Sequence, residues 1–143
     1  MTITVWGGGT GRTIRVHWAL HELGLDYEPK LIGSRTGETQ GETFQRLNSK
    51  EKIPVLVDDD FVLTESAAIV TYLGDKHGLL TPTSGSRERA RYDEWTSYIL
   101  MSSTPTRFTS SVVTMTLHTC METRQKPYEQ RATGSINKFD GPR

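Results

Sequence analysis

Pro54, inside the segment Lys52-Ile53-Pro54-Val55-Leu56, constrains this chain more than any other residue. A proline has no N–H to give to a β-ladder, so it must open a strand or lie at an edge. Downstream, Leu63-Thr64-Glu65-Ser66-Ala67-Ala68-Ile69 reads as a second strand that runs into a helix with Glu-Ser at its start. An Ile-Pro bond in a tight turn is also a candidate for the cis form, which would aim the preceding backbone N–H and C=O outward. A helix start that carries a hydroxyl and free N–H groups is a ready carboxylate site. A backbone rail beside an anion socket suits a small anionic peptide.

The rest of the N-terminal part builds a frame around that segment. Ile3 to Trp6 is short, apolar and β-branched, and Gly7-Gly8-Gly9 ends it, so a strand is expected. Arg12 to Leu23 is expected to be a helix, with Ile14, Val16, Trp18, Ala19, Leu20 and Leu23 giving broad apolar coverage. Thr10 or Thr13 can cap its start, and Gly24 can supply the left-handed residue past its end. Tyr27 to Ile32 reads as a second strand, Gly33 to Glu42 as a loop and Thr43 to Leu47 as a short helix. Val55 to Val57 and Phe61 to Leu63 flank Asp58-Asp59-Asp60, the pattern of a hairpin with a solvated acidic turn. Glu65 to His77 closes the set as a helix with Ile69, Tyr72 and Leu73 on one face and Gly78 as its stop. The order is βαβ followed by ββα, an α/β arrangement with a mixed sheet.

Leu79 to Ser86, with Pro82 and Gly85, reads as a linker, and Arg87 to Met101 as a further helix with Tyr92, Trp95, Tyr98 and Ile99 at helical spacing. Beyond Met101 no sustained period of either kind survives. Formal net charge is zero, but residues 1–101 hold 11 Lys and Arg against 14 Asp and Glu, and residues 102–143 hold 6 against 3. The tail is thus a different kind of sequence from the body. The overall balance gives no reason to expect a nucleic-acid or membrane-surface partner. The lone cysteine, Cys120, rules out an internal disulfide and suits a reducing compartment. The N-terminus shows no signal peptide, and no apolar run approaches the roughly 20 residues of a membrane span, so a cytoplasmic protein is expected.

Three stretches in this order and spacing carry a family resemblance: Gly11-Arg12-Thr13-Ile14-Arg15-Val16-His17-Trp18-Ala19-Leu20-His21-Glu22-Leu23-Gly24-Leu25, Asn48 through Leu56, and Glu65 to Tyr72. They resemble the glutathione-binding half of the glutathione S-transferases, over residues 3 to 80 and more weakly to about residue 101. The resemblance implies a thioredoxin-like fold and glutathione as cosubstrate. It also implies a glutathione-binding domain over 1–80, a linker over 81–86, and a partial helical region over 87–143. The first helix of an all-α domain is recognisable there, and 102–143 is expected to be disordered. Either the C-terminus is truncated, altered or misread, or it is a genuine disordered tail.

By the same resemblance, Ser66 and the adjacent backbone N–H would hold the γ-glutamyl carboxylate, and Glu65 would accept from the γ-glutamyl ammonium or fix the turn. The backbone of Ile53 ahead of Pro54 would pair with the cysteinyl unit as an added strand, and Lys52 would reach the glycyl carboxylate. Ser49 stands where the family usually has proline after Asn48, which should loosen that turn. Gly11 stands where many members place a serine that activates the thiol, so Thr10, or backbone N–H groups at the helix start, would take that role. Arg12 is a further candidate contact.

Other chemistry is poorly supported. Gly7 to Thr13 fits neither dinucleotide nor P-loop spacing, and no cysteine opens the first helix as a redox motif would require. His17 and His21 share a helix face but lack a third metal ligand. The expected function is addition of the glutathione thiolate to a small-molecule electrophile. The alternatives are a noncatalytic glutathione-binding or protein-interaction module, or an inactive fragment. The family commonly pairs as a homodimer, which an incomplete second domain would weaken, and the Trp95 face would then lie open.

Overall fold

The computed structural model describes residues 2–102. The expected disorder of 102–143 therefore falls outside them from residue 103 onward. Strand β1 (Ile3–Trp6) is followed by helix α1 (Gly11–Glu22), strand β2 (Glu28–Lys30), a 3₁₀ turn (Glu38–Gln40) and helix α2 (Glu42–Leu47). Strands β3 (Val55–Asp58) and β4 (Phe61–Thr64) and helices α3 (Ser66–His77) and α4 (Arg87–Ser102) complete the set. The sheet order is β2-β1-β3-β4, with β1 parallel to β2 and antiparallel to β3, and β3 antiparallel to β4. This is the mixed sheet of a thioredoxin-like α/β domain.

Local chemistry explains each boundary. Thr10 is extended at φ −122° and caps α1 reciprocally with Thr13, and Gly24 at φ 64° turns the chain away after Leu23. Strand β2 is shorter than the expected 27–32 span, and Pro29 at its centre has no N–H to give. The β3–β4 turn is tight because Asp59 adopts φ 54°, a conformation aspartate tolerates better than most residues. Gly78 ends α3 in the left-handed region.

The sheet separates two apolar clusters. Ile3, Val5 and Leu56 face Val16 and Leu20 of α1 and Ile69 and Leu73 of α3 in the larger one. Phe44, Ile53 and Val55, with Trp6 and Ile32 against them, form the smaller one. Val55 and Leu56 are adjacent and both fully buried, so β3 is covered on both faces.

Two expectations need correction, at Ile14 and at Asp58. Ile14 is 61% exposed, so the buried stripe of α1 is narrower than its apolar content implied and runs through Thr13, Val16, Ala19 and Leu20. On α4, Tyr92 is buried and its hydroxyl lies 3.1 Å from Thr71 Oγ1, while Trp95 and Tyr98 lie open and stack edge to face on each other. Asp58 is not a solvated turn residue. It ends β3 as a buried carboxylate that accepts from Tyr72 Oη at 2.7 Å and from Lys76 Nζ.

Burial pushes the Asp58 carboxyl up, but the hydrogen bonds from Lys76 and Tyr72 outweigh it and hold it below the ordinary value. A carboxyl lowered in the folded state contributes stability above its unfolded pKa and loses it as pH falls through the folded one. The thermal midpoint is therefore expected to drop in acid below the ordinary carboxylate range. Asp58→Asn should flatten that acid limb and lower the midpoint at neutral pH. An unchanged acid limb in the variant would show that other carboxylates govern it.

α4 is tied to α3 by a two-pronged ion pair, with Arg89 Nη1 2.7 Å from Asp75 Oδ1 and Nη2 3.1 Å from Oδ2. Among the described residues no helix is long and apolar enough to cross a membrane.

Candidate functional site

Sheet register brings three loops to one end of the domain. β1 pairs with β3 up to Trp6 opposite Val55, and β3 pairs with β4 from Val55 opposite Thr64. Gly7, Pro54 and Glu65 each lie one residue beyond those pairs, so the loops that carry them share an edge. Contact confirms it: a Cβ placed on Gly7 would fall 2.8 Å from Ile53 Cβ and 2.7 Å from Thr13 Cγ2.

The first loop, Gly7 to Thr10, is held by its backbone. Gly7 N–H donates to Lys30 O at 2.8 Å and Gly8 N–H to Ile32 O at 2.9 Å. His17 closes the third side, with Nε2 2.9 Å from Gly7 O and Nδ1 2.9 Å from Tyr27 Oη. A carbonyl can only accept, so Nε2 carries the proton, and Nδ1 accepts from the tyrosine hydroxyl. Both ring nitrogens are thus occupied, which removes His17 as a metal ligand. Among the described residues no group of three His, Cys, Asp or Glu could hold a metal ion.

Thr10 is the N-cap of α1. Its Oγ1 accepts from Thr13 N–H at 3.2 Å, while Thr13 Oγ1 donates to Thr10 O at 2.8 Å and accepts from Thr10 N–H at 3.2 Å. The Thr13 proton is therefore committed to Thr10 O. The Thr10 hydroxyl proton can go to Thr13 Oγ1, 3.2 Å away, or outward to a ligand. Arg12 is exposed on the first turn of α1, and Arg15 is lowered by burial and by the nearby Arg12 charge.

The second loop, Asn48 to Pro54, ends in a cis Ile53–Pro54 bond. Ile53 and Pro54 are buried and Lys52 is exposed. The third loop passes from Thr64 through Glu65 into α3. Glu65 is exposed at φ 72°, a conformation an L-residue adopts at a cost of about 1–3 kcal/mol and one that clusters at ligand sites. Lys50 Nζ donates to Thr64 Oγ1 at 3.2 Å and joins the second loop to the third. Ser66, 4% exposed, is the first residue of α3, and no side chain caps that helix start. Its first-turn N–H groups are orphan donors at the positive end of a 12-residue helix.

The edge thus combines an uncapped helix start, a buried hydroxyl residue and exposed cations at Lys52 and Arg12. Such a set can hold a ligand with anionic ends. Thr10, Ile53, Pro54, Glu65 and Ser66 come together at this edge, with Arg12 in the first turn of α1 and Lys52 immediately ahead of Ile53. Three contributors were not expected from sequence: Gly7, His17 and Asn48. The glycine run was a usable signal for the first. The partners of His17 lie ten residues away along the chain in either direction, beyond any local pattern.

The family profile described as glutathione S-transferase, N-terminal domain, matches residues 1–75. A glutathione S-transferase of Triticum aestivum is 44% identical over 63 residues, which are 44% of this chain and 28% of that protein. A theta-class glutathione S-transferase of Xanthomonas axonopodis pv. citri, solved with glutathione bound, superposes with a TM-score of 0.66 at 30% identity, over 71% of this chain and 49% of that one. A glutathione transferase family member of Pseudomonas fluorescens, solved with two glutathione bound, gives 0.65 at 27% identity, over 70% and 46%. The chain spans about a quarter of the wheat protein and about half of the two solved chains.

Proposed function

We propose, for a chain that belongs to the glutathione S-transferase family through its N-terminal domain, that residues 1–80 bind glutathione and present its thiolate to an electrophile. The observation that carries this reading is the uncapped start of α3, with Ser66 at its first position and Glu65 exposed beside it. The γ-glutamyl carboxylate would take the orphan N–H groups and the Ser66 hydroxyl. Glu65 would take the ammonium, the Ile53 backbone the cysteinyl unit, and Lys52 the glycyl carboxylate. That order places the sulfur toward the Gly7–Thr10 loop. Calorimetry with glutathione on the intact chain tests it, and absence of binding would overturn it.

Thiolate stabilisation falls to the Thr10 hydroxyl proton and the positive N-terminal end of α1, with Arg12 adding charge. Thr10→Val removes both the donor and the cap. It is expected to lower stability by about 1 kcal/mol and to abolish the ultraviolet thiolate absorption of bound glutathione at neutral pH. Thr10→Ser should retain both properties. If the thiolate band survives in Thr10→Val, backbone N–H groups are the donors.

Residues 81–86 then act as a linker to a further region that begins with α4. The electrophile, a homodimeric state and work in the reducing cytoplasm, where glutathione is maintained, belong to this same reading. A second reading, a noncatalytic glutathione-binding or protein-interaction module, is favoured by Gly11, which offers no hydroxyl where many family members carry serine. Turnover of a generic aryl halide separates the two: binding without turnover supports the module, and turnover lost in Thr10→Val supports the enzyme.

A further inference from the structure

Asn48 engages all four of its polar groups around a single turn. It is 5% exposed and follows the last residue of α2. Its N–H donates to Phe44 O at 2.9 Å and its C=O accepts from Glu51 N–H at 3.0 Å. Its side chain does more. Oδ1 accepts from Lys50 N–H at 3.2 Å, and Nδ2 donates to Lys52 O at 2.7 Å. The orientation of the amide is dictated by its partners, since an N–H only donates and a carbonyl only accepts.

The turn needs this help. Glu51 sits at φ 54° without being glycine, and Ser49 gives no proline rigidity. Gln45 Nε2 steadies Glu51 at 2.7 Å, but it is the Asn48 amide that reaches past the turn to the residue before Ile53. No side chain of equal length substitutes. Aspartate keeps the acceptor but faces the Lys52 carbonyl with a second oxygen. Serine keeps an acceptor but is too short to reach Lys52 O.

We propose that Asn48 is a positioning residue for the ligand site. By fixing the Lys52 backbone it aims the Lys52 ammonium at the C-terminal carboxylate of the bound peptide. This rests on the glutathione reading above. Lys52 is exposed on a flexible stem, so its grip depends on where its backbone is anchored and how little freedom it must lose.

The test titrates glutathione and its glycyl ethyl ester, in which an uncharged ester replaces the terminal carboxylate, into the full chain by calorimetry. The unaltered chain is expected to prefer the acid by about threefold to fivefold, as one exposed charge pair would give. In Asn48→Asp and in Asn48→Ser that preference should fall toward one, while affinity for the ester stays within about twofold. Lys52→Ala should lose the same preference, and the Asn48→Ser, Lys52→Ala double variant should lose no more than Lys52→Ala alone. A preference retained in both Asn48 variants overturns the inference. So does an equal loss for acid and ester with a lowered thermal midpoint, because Asn48 would then serve the fold alone. If Asn48→Asp fails to fold, Asn48→Ser, which keeps an acceptor for Lys50 N–H, decides. Failure of the unaltered chain to bind either peptide overturns the glutathione reading and this inference with it.

Discussion

Gly7→Ala is expected to destabilise the protein by roughly 2–5 kcal/mol, combining backbone strain with overpacking. Gly7 is buried at φ 124°, where an L-residue is strained whatever space surrounds it. Space is also lacking, because the new methyl carbon would lie 2.7 Å from Thr13 Cγ2 and 2.8 Å from Ile53 Cβ. Neither obstacle is a flexible side-chain end. Thr13 is fully buried and locked in the α1 cap, and Ile53 is β-branched and packed against Phe44 and Val55. Relief must come from moving the α1 start or the Ile53 rail, so ligand affinity should fall along with stability. Denaturant unfolding measures the first and calorimetry the second. A midpoint equal to that of the unaltered chain would show that the loop relaxes freely and that the junction is not tightly packed.

Ser66→Ala is expected to do the opposite to fold and function. Glutathione affinity should fall about tenfold to a hundredfold, the cost of one hydrogen bond to a charged group. Stability should hold or rise slightly, because the hydroxyl caps nothing in α3 and alanine is the better helix former. Loss of affinity without loss of thermal midpoint would assign Ser66 to the ligand. Unchanged affinity would remove the anion socket from the proposed site.

How much of this was legible in the chain depended on the range of the contacts involved. The hairpin, the α1 and α3 stops at Gly24 and Gly78, and the Thr10 and Thr13 cap follow from residues within a few positions of one another. They were readable for that reason. Asp58 was misread because three consecutive acids look like a solvated turn. Only the strand register and the later arrival of Tyr72 and Lys76 make it a buried anchor. Ile14 and Trp95 have the helical spacing of buried residues, yet both lie open among the described residues. Asn48 was noticed for the missing proline after it, whereas what matters is its own amide. The convergence of Gly7, Pro54 and Glu65 was implicit in the order of elements but needed the pairing of Val55 with both neighbouring strands to become visible.

The His17 ring has a use beyond holding Gly7 in place. Its proton sits on Nε2 because Gly7 O demands it, and Tyr27 Oη occupies the other nitrogen. The two ring nitrogens should therefore give well-separated nitrogen resonances, with a slowly exchanging proton on one of them. In a loop that came loose, tautomers would interconvert and the two signals would merge toward an average. The imidazole is thus a native spectroscopic gauge of the glycine loop, readable without ligand, label or turnover.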